Sequence, residues 1–452
     1  MTAKTGPLGL FALFMVPLVA LAGDGKALPV YHFQPGQELT FHSSSAFKYG
    51  EGQNAGEHGT TSDYTVWVVR KNPDGSYRLV LRDKNVFSQT VQGKKTDQPA
   101  RTTIVYADVF PDGRVLPNKT IQYQGHPGAL FPQLPGDAAQ AKAGWESIRN
   151  EDKITSKPLA QADHFAFESV TDSPFNKIYL SSSKSKATFD EAKGFVTQTD
   201  SENTQGYGFK GKGTGKTELL TIKMMDPAAL KTFAETTDKY FTAATAYEQK
   251  TEAAEKATPE QAKVILAKAV GDLKSAADGL ENKELKTELD EKVAQHKGME
   301  KYYIEGAERR AKLMGKPAAE FEAKSIDGKT VKLADLRGQV VVLDFWYRGC
   351  GWCIRAMPQM NELAADFADK PVSIFGMNTD RNEEDAKFVI EKMGLKYATL
   401  KAEGLPQRFS VQGFPTLIII DQQGKVHDIH VGYSPTLREE VGKQIKELLA
   451  KQ

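Results

Sequence analysis

Residues 340–353 read Val-Val-Val-Leu-Asp-Phe-Trp-Tyr-Arg-Gly-Cys-Gly-Trp-Cys. The apolar run Val340–Trp346 predicts a strand that is buried on both faces of a sheet. After Cys353, apolar residues recur at helical spacing, so a helix is expected to begin at the cysteines. The order strand, cysteine pair and helix predicts an α/β domain and places Cys350 at a helix N-terminus.

The cysteine pair predicts redox chemistry. Cys350 and Cys353 are the two cysteines of the chain, and two residues separate them in a Cys-Gly-Trp-Cys (CGWC) motif. Unpaired N–H groups and the macrodipole at a helix N-terminus stabilise a thiolate over a thiol. The thiolate attacks in disulfide exchange, and a second nearby thiol can resolve the mixed disulfide. The spacing is therefore typical of a dithiol catalyst.

Three weaker alternatives for the pair stay open. A zinc site needs two further ligands, and His427 and His430 are predicted to point to opposite faces of a strand. A purely structural disulfide would constrain the unfolded chain little, because it would close a loop of four residues. A peroxidase-type cysteine would need a threonine three residues earlier, where this chain has Tyr347.

The sequence around the dithiol resembles the thioredoxin superfamily. An acid, Asp344, stands six residues before the first cysteine, and Pro358 stands five residues after the second. Val411-Gln-Gly-Phe-Pro-Thr416 precedes an apolar strand and resembles the cis-proline loop of that superfamily. Gly432 falls where the superfamily has a glycine before its last helix.

Further features are similar to the TlpA/ResA branch of exported thiol-disulfide oxidoreductases. A predicted helix over residues 382–394 corresponds to the extra helix of that branch. The resemblance covers residues 315–452 and implies a thioredoxin-like fold there. The residues that match the lead-in of the branch are Gly315, Phe321, Asp327-Gly-Lys329, Leu333, Leu336 and Gly338.

The resemblance implies three catalytic residues. Cys350 is expected to be the exposed nucleophile and Cys353 the more buried resolving thiol. Asp344, if it is buried beneath the dithiol, should have a raised pKa and accept or return the proton of Cys353. The alternative for Asp344 is a solvated carboxylate at the end of a strand.

The resemblance also implies a substrate-binding surface. Pro415, if cis, would expose the backbone with which an extended client can pair as an added strand. Trp346 and Trp352 would form an apolar rim, with core packing an equal alternative for Trp346. The expected substrate-binding residues are Trp346, Trp352, Phe414, Pro415 and Thr416.

Two departures from the family concern the redox potential. Trp352 stands where thioredoxins and most of the branch have proline, and Arg348 and Arg355 flank the pair. Nearby cations favour the thiolate, and stabilising the reduced form makes a dithiol more oxidising. The branch implies a reductase while these charges favour an oxidant, so the direction of electron flow stays open.

Composition and the N-terminus predict an exported protein. The chain has 452 residues, with 59 Lys plus Arg against 58 Asp plus Glu, so its charge indicates no nucleic-acid partner. Lys4 precedes an apolar run over residues 8–22 that ends in Ala-Leu-Ala, which predicts a signal peptide over residues 1–22. The alternative is an uncleaved membrane anchor. Cleavage would leave no membrane span in a periplasmic or other extracytoplasmic protein.

Three domains are predicted after the signal peptide. Residues 23–225 alternate between polar and apolar and form a β-rich domain, with a strand, turn and strand over residues 64–81 and a further strand at residues 178–180. Residues 226–313 form a helical spacer, with helix starts at Asp226-Pro227 and at the capping box Thr258-Pro-Glu-Gln261. Residues 314–452 form the thioredoxin-like domain.

One glycine-rich stretch of the β-rich domain resembles a phosphate-binding loop. Residues 211–217 read Gly-Lys-Gly-Thr-Gly-Lys-Thr, but the first glycine of such a loop would have to be residue 210, which is Lys210. A strand, rather than a helix, is also predicted after it. The stretch is therefore predicted to be a polar hairpin turn.

The sequence thus predicts an exported thiol-disulfide oxidoreductase, of the protein-disulfide reductase type, that acts on disulfides of protein clients. It needs an extracytoplasmic electron donor, and no metal or cofactor is expected besides the Cys350–Cys353 disulfide. The alternative from another class is a binding or sensor protein, in which the β-rich domain binds a ligand or partner and the dithiol is a redox switch.

Overall fold

The computed structural model describes residues 28–52, 55–116, 127–149, 152–160, 164–208 and 210–451. The predicted signal peptide, residues 1–22, lies outside the described residues. Among the helices that are described, none combines the length and the apolar character needed to cross a membrane.

The first part of the chain is a β-domain built on one sheet of eleven strands. Its strands follow the path β4-β3-β2-β1-β11-β10-β9-β8-β7-β6, and β5 pairs with β3. The elements are β1 (Gln37–Tyr49), β2 (Gly56–Lys71), β3 (Tyr77–Val91), β4 (Lys94–Asp97), β5 (Arg101–Val109), α1 (Ala138–Ala143), β6 (Trp145–Arg149), β7 (Asp152–Leu159), β8 (Phe165–Asp172), α2 (Pro174–Tyr179), β9 (Ser182–Asp190), β10 (Phe195–Gln205) and β11 (Gly211–Met224).

The β2–β3 hairpin confirms the strand, turn and strand expected over residues 64–81. Gly75 in its turn has a φ of 89°, a conformation that glycine adopts without steric cost. One face of the sheet encloses an aromatic core around Phe131, whose ring packs edge-on against Phe33 and Phe41. Burial of these rings stabilises the domain.

The prediction of a strand at residues 178–180 is wrong. Ile178 lies in α2, and Leu180 ends that helix in the left-handed conformation with a φ of 52°. The Ser173 hydroxyl caps the helix by accepting a hydrogen bond of 3.2 Å from the N–H of Phe175. The Ser-Pro pair at residues 173–174 has the same cap and proline signature as Asp226-Pro227, so the sequence does carry a signal for this helix.

The prediction of a hairpin turn at residues 211–217 is also wrong. These residues form the first half of β11, between β1 and β10. A Cβ atom at Gly211 would lie 2.0 Å from the carbonyl oxygen of Lys48 on β1, so glycine is needed for the close approach of the strands. The strand confirms that this stretch is not a phosphate-binding loop.

Three helices follow the sheet: α3 (Pro227–Lys256), α4 (Pro259–Asp278) and α5 (Lys283–Leu313). Asp226 caps α3, and the predicted capping box of Thr258 and Gln261 is present at the start of α4. Tyr240 and Phe241 of α3 pack with Tyr106 on the outer face of the sheet. The helices therefore lie on the β-domain in addition to linking it to the C-terminal part of the chain.

The C-terminal part has a five-stranded sheet in the order β16-β15-β14-β17-β18, with helices around it. The central strand β14 is buried at every position and pairs in parallel with β15, as the apolar run predicts. The elements are β12 (Glu322–Lys324), β13 (Thr330–Lys332), β14 (Val340–Trp346), α6 (Gly351–Asp366), β15 (Val372–Asn378), α7 (Glu383–Met393), β16 (Ala398–Lys401), α8 (Leu405–Arg408), β17 (Thr416–Ile420), β18 (Val426–Val431) and α9 (Leu437–Leu449).

Candidate active site

The cysteine pair lies at the N-terminus of α6, as predicted. Cys350 is the N-cap residue, and its sulfur accepts a hydrogen bond of 3.1 Å from the backbone N–H of Cys353. The two residues form a disulfide, with 5.2 Å between their Cα atoms. In the reduced state, the same N–H and the helix dipole would stabilise a Cys350 thiolate.

Both cysteines are buried, which corrects the expectation of an exposed nucleophile. The exposed fraction is 6% for Cys350 and 2% for Cys353. They share an apolar cluster with Ile178, which belongs to α2 of the β-domain. The order of exposure agrees with the predicted roles, but Cys350 is covered by another part of the chain.

Asp344 lies on β14, the strand that leads into the dithiol, and is only 2% exposed. Its Oδ2 accepts a hydrogen bond of 3.2 Å from the hydroxyl of Tyr397, whereas its Oδ1 has no partner among the residues that the structure describes. Burial raises the pKa of Asp344 to about 7, and the hydrogen bond from Tyr397 acts in the opposite direction. The alternative of a solvated carboxylate is therefore wrong. This carboxyl can take up or release a proton near neutral pH.

Tyr397 was not identified from the sequence, and its role can be tested by Tyr397→Phe. Since the hydroxyl of Tyr397 lowers the pKa of Asp344, its removal should move that pKa above about 7. We expect a carbon-13 NMR titration of Asp344 to shift to higher pH, whereas Tyr302→Phe on α5 should leave it unchanged. An unchanged titration in Tyr397→Phe would show that the hydrogen bond does not control Asp344.

The proline loop lies at the same end of the sheet as the dithiol. The Phe414–Pro415 peptide bond is cis, and Thr416 pairs with Phe345 of β14. Phe414 is half-buried, and its ring packs edge-on against Tyr347 at 5.1 Å. Antiparallel pairing of β17 with β14 therefore brings the loop next to the end of β14 from which the cysteine motif continues.

Three of the five expected substrate-binding residues, Trp346, Pro415 and Thr416, are buried. Trp346 is fully buried, so its place in the apolar rim is corrected to core packing. Thr416 is 2% exposed and donates a hydrogen bond of 2.8 Å to the carbonyl of Gly413. Trp352 is 56% exposed and stacks on Tyr433 at 5.5 Å. Trp352 and Phe414 are thus the expected rim residues whose side chains are accessible.

Arg348, which lies beside the dithiol in sequence, forms hydrogen bonds with two carboxylates. Its Nη1 donates a hydrogen bond of 2.8 Å to Asp385, and its backbone N–H donates one of 2.9 Å to Asp380. These carboxylates offset the positive charge that was expected to favour the thiolate. Arg355 lies over the rings of Phe175 and Trp352, at 5.0 and 5.3 Å from their centroids.

The β-domain contributes to this site, which the sequence did not predict. A Cβ atom at Gly351 would lie 3.6 Å from Cε1 of Phe175 and 3.7 Å from the hydroxyl oxygen of Tyr179. Both residues belong to α2. Helix α2 therefore lies directly over the residue that follows Cys350.

In the described part of the chain, no group of three or more His, Cys, Asp and Glu residues is placed to hold a metal ion.

Comparison with known proteins identifies the C-terminal domain. The family model described as "AhpC/TSA family" matches residues 314–429. The thiol-disulfide oxidoreductase ResA of Bacillus thuringiensis (strain Al Hakam) is 32% identical over 145 residues, which cover 32% of this chain and 78% of ResA. The thioredoxin-like protein YneN of Bacillus subtilis (strain 168) is 31% identical over 121 residues, which cover 26% of this chain and 71% of YneN.

The solved structures that match also cover about 30% of this chain. The thioredoxin domain of a thiol-disulfide oxidoreductase from Bacteroides vulgatus is 29% identical, with a TM-score of 0.28, and covers 29% of this chain and 98% of that domain. The matches to ResA and to the AhpC/TSA family confirm the resemblance read from the dithiol and its surroundings. Through its C-terminal domain, the chain belongs to the AhpC/TSA family and is a thiol-disulfide oxidoreductase similar to ResA.

Proposed function

We propose that the protein is exported and that it reduces or exchanges disulfides of protein clients through Cys350 and Cys353. One observation carries the proposal. Strand β14 holds the buried Asp344, whose pKa is raised to about 7, and leads directly into a dithiol that caps α6. A nucleophile stabilised by a helix N-terminus and a carboxyl that titrates near neutral pH are the two groups that dithiol exchange needs.

The proposed reaction begins with the reduced dithiol. The Cys350 thiolate attacks one sulfur of the client disulfide, which forms a mixed disulfide and releases the other client sulfur as a thiolate. Asp344 in its carboxylate form takes the proton of Cys353, and the Cys353 thiolate then attacks the sulfur of Cys350. The second client sulfur leaves as a thiolate. The client gains two electrons, and the Cys350–Cys353 disulfide forms.

Repeated client reduction needs a donor of two electrons. We propose that this donor is an extracytoplasmic protein dithiol, which reduces the Cys350–Cys353 disulfide by the same exchange. The apolar segment at residues 8–22 supports an extracytoplasmic location, where client disulfides form and persist. The reaction as proposed uses the dithiol of this chain and no other cofactor.

The Cys353→Ser variant tests the assignment of nucleophile and resolving thiol. Because the resolving thiol is missing, the mixed disulfide between Cys350 and a client should accumulate. We expect reduced Cys353→Ser protein to form a covalent adduct with oxidised insulin, seen on a non-reducing gel and removed by dithiothreitol. The matched control is the double variant Cys350→Ser/Cys353→Ser, which should form none. A lack of adduct with Cys353→Ser would contradict the proposed order of attack.

A further inference from the structure

The dithiol is covered by a helix from a different domain. Helix α2 connects β8 and β9 of the β-domain, and its Ile178 is fully buried in the cluster that contains Cys350 and Cys353. Phe175 and Tyr179 of the same helix pack against this cluster. Cys350 is only 6% exposed, although it is the residue that must reach a client.

Arg348 connects α2 with the C-terminal domain. Its guanidinium donates a hydrogen bond of 3.1 Å to the carbonyl of Ile178 and another of 2.8 Å to Asp385 of α7. The same group lies between two rings, 3.7 Å from the centroid of Tyr207 and 4.1 Å from that of Phe388. One ring belongs to each domain. Stacking of a cation between aromatic faces adds to the hydrogen bonds, so Arg348 stabilises the contact.

Helix α2 is itself held by the β-domain. The backbone N–H groups of Gly206 and Tyr207 both donate to the carbonyl of Tyr179, at 3.1 and 3.0 Å. The side-chain amide of Asn176 donates a hydrogen bond of 2.7 Å to the carbonyl of Thr171. The helix is therefore tied to the β-domain by contacts with β8 and with the residues that follow β10.

We propose that α2 closes the dithiol against protein clients, and that a client is reduced only when α2 has moved away from Cys350. The inference rests on the proposed function, because it concerns access to the same thiol. A client disulfide must bring one of its sulfurs to the Cys350 sulfur, and α2 occupies the space over Gly351 through which part of the client would approach. Only the open fraction of the molecules reacts, so the observed rate is the rate of the open state multiplied by that fraction.

The contact can open with both sheets intact, at the cost of exposing Ile178. Phe175 and Tyr179 are half-buried, and Arg348 would keep its partner Asp385 when α2 leaves. The sheet of the C-terminal domain is complete without α2, since its strand pairs come from β14 to β18 alone. The β-domain therefore controls the access of clients to the dithiol, and removing the contacts of α2 should increase that access.

Two variants test this closure, Phe175→Ala on α2 and Tyr207→Ala at the ring that stacks on Arg348. In reduced full-length protein, we expect the rate of Cys350 alkylation by iodoacetamide to rise about tenfold in either variant. The rise should appear in the plateau of the pH profile, where the thiol is fully ionised, with an unchanged apparent pKa. Insulin reduction should rise in parallel. The matched control is Phe87→Ala, an aromatic of the same domain that packs on His58.

The outcomes separate the closure from the proposed function. Unchanged alkylation rates in both variants, or a change explained by the thiol pKa alone, would overturn the closure. Slower insulin reduction with faster alkylation would also overturn it, because α2 would then help to bind clients. Alkylation needs no client, so the closure can hold even if the wild-type protein fails to reduce insulin. Failure of the wild-type protein and of both opened variants to reduce insulin would instead contradict the proposed function.

Discussion

The Cys350→Ser variant should lose client reduction, with a rate at least about 10³-fold below that of the wild-type protein. Serine is similar in size to cysteine, and its oxygen can accept the hydrogen bond that the N–H of Cys353 donates to the Cys350 sulfur. Its hydroxyl is not ionised at neutral pH and cannot form a mixed disulfide. Insulin reduction with dithiothreitol as the electron source measures the effect.

The loss must be separated from an effect of the missing disulfide on the fold. The reduced wild-type protein also lacks the Cys350–Cys353 bond, so it is the matched control for thermal unfolding. We expect Cys350→Ser and reduced wild-type protein to unfold at similar temperatures. Substantial insulin reduction by a folded Cys350→Ser variant would show that another group is the nucleophile.

The second large effect is expected for Asp344→Asn. Asparagine keeps the shape of the side chain and an oxygen for Tyr397, but it cannot accept a proton from Cys353. We expect client reduction at pH 7 to fall about 10²-fold, the usual contribution of general acid–base catalysis. The wild-type rate should depend on a group with a pKa of about 7, and this inflection should be absent from the pH profile of Asp344→Asn. A profile that keeps the inflection would assign it to another group.

Asp344→Asn should also change the stability of the C-terminal domain. The pKa of Asp344 is raised to about 7 in the folded state, against about 3.9 in an unfolded chain. The folded state therefore binds more protons between these values, and stability falls as the pH rises from about 4 to 7. The upper bound of that loss is about 4 kcal/mol. Asparagine carries no charge, so hydrogen exchange of the β14 amides at pH 8 should be slower in the variant.

The local pattern around the dithiol was sufficient to predict the C-terminal domain. Val340–Trp346 is buried on both faces because parallel and antiparallel neighbours lie beside it and helices cover it. The predicted extra helix over residues 382–394 is α7, capped by Asn382 and ended by Gly394. In these cases, adjacent residues determine the structure, and a short stretch of sequence contains them all.

The surroundings of the site could not be predicted in the same way. Tyr397 reaches Asp344 across 53 positions of sequence, and Ile178 reaches Arg348 across 170. Such contacts depend on how strands and domains pack, which periodicity does not reveal. The pair Ser173-Pro174 indicates the start of α2, but the residues around it alternate between polar and apolar as in a strand. Because the sequence did not predict α2, it also gave no sign that Cys350 is covered.

Strand order in the β-domain was likewise beyond local reasoning. The hairpin of β2 and β3 is set by its turn, but β1 pairs with β11, which lies at the other end of the domain in sequence. Alternation identifies the buried face of a strand and not its partner. The role proposed for the β-domain rests on the contacts of α2 with the dithiol cluster, with Arg348 and with Gly351.

The most direct test of the central claim is insulin reduction by residues 23–452 in redox buffers that also determine the potential of the Cys350–Cys353 pair. We predict that the pair equilibrates with the buffer and that insulin is turned over repeatedly, with two electrons consumed per disulfide. A potential near about −270 mV would mark a reductase, and one near about −120 mV an oxidant or isomerase. A pair that equilibrates but turns over no insulin, in the wild-type protein and in the opened variant Phe175→Ala alike, would contradict the proposed function and favour a redox switch.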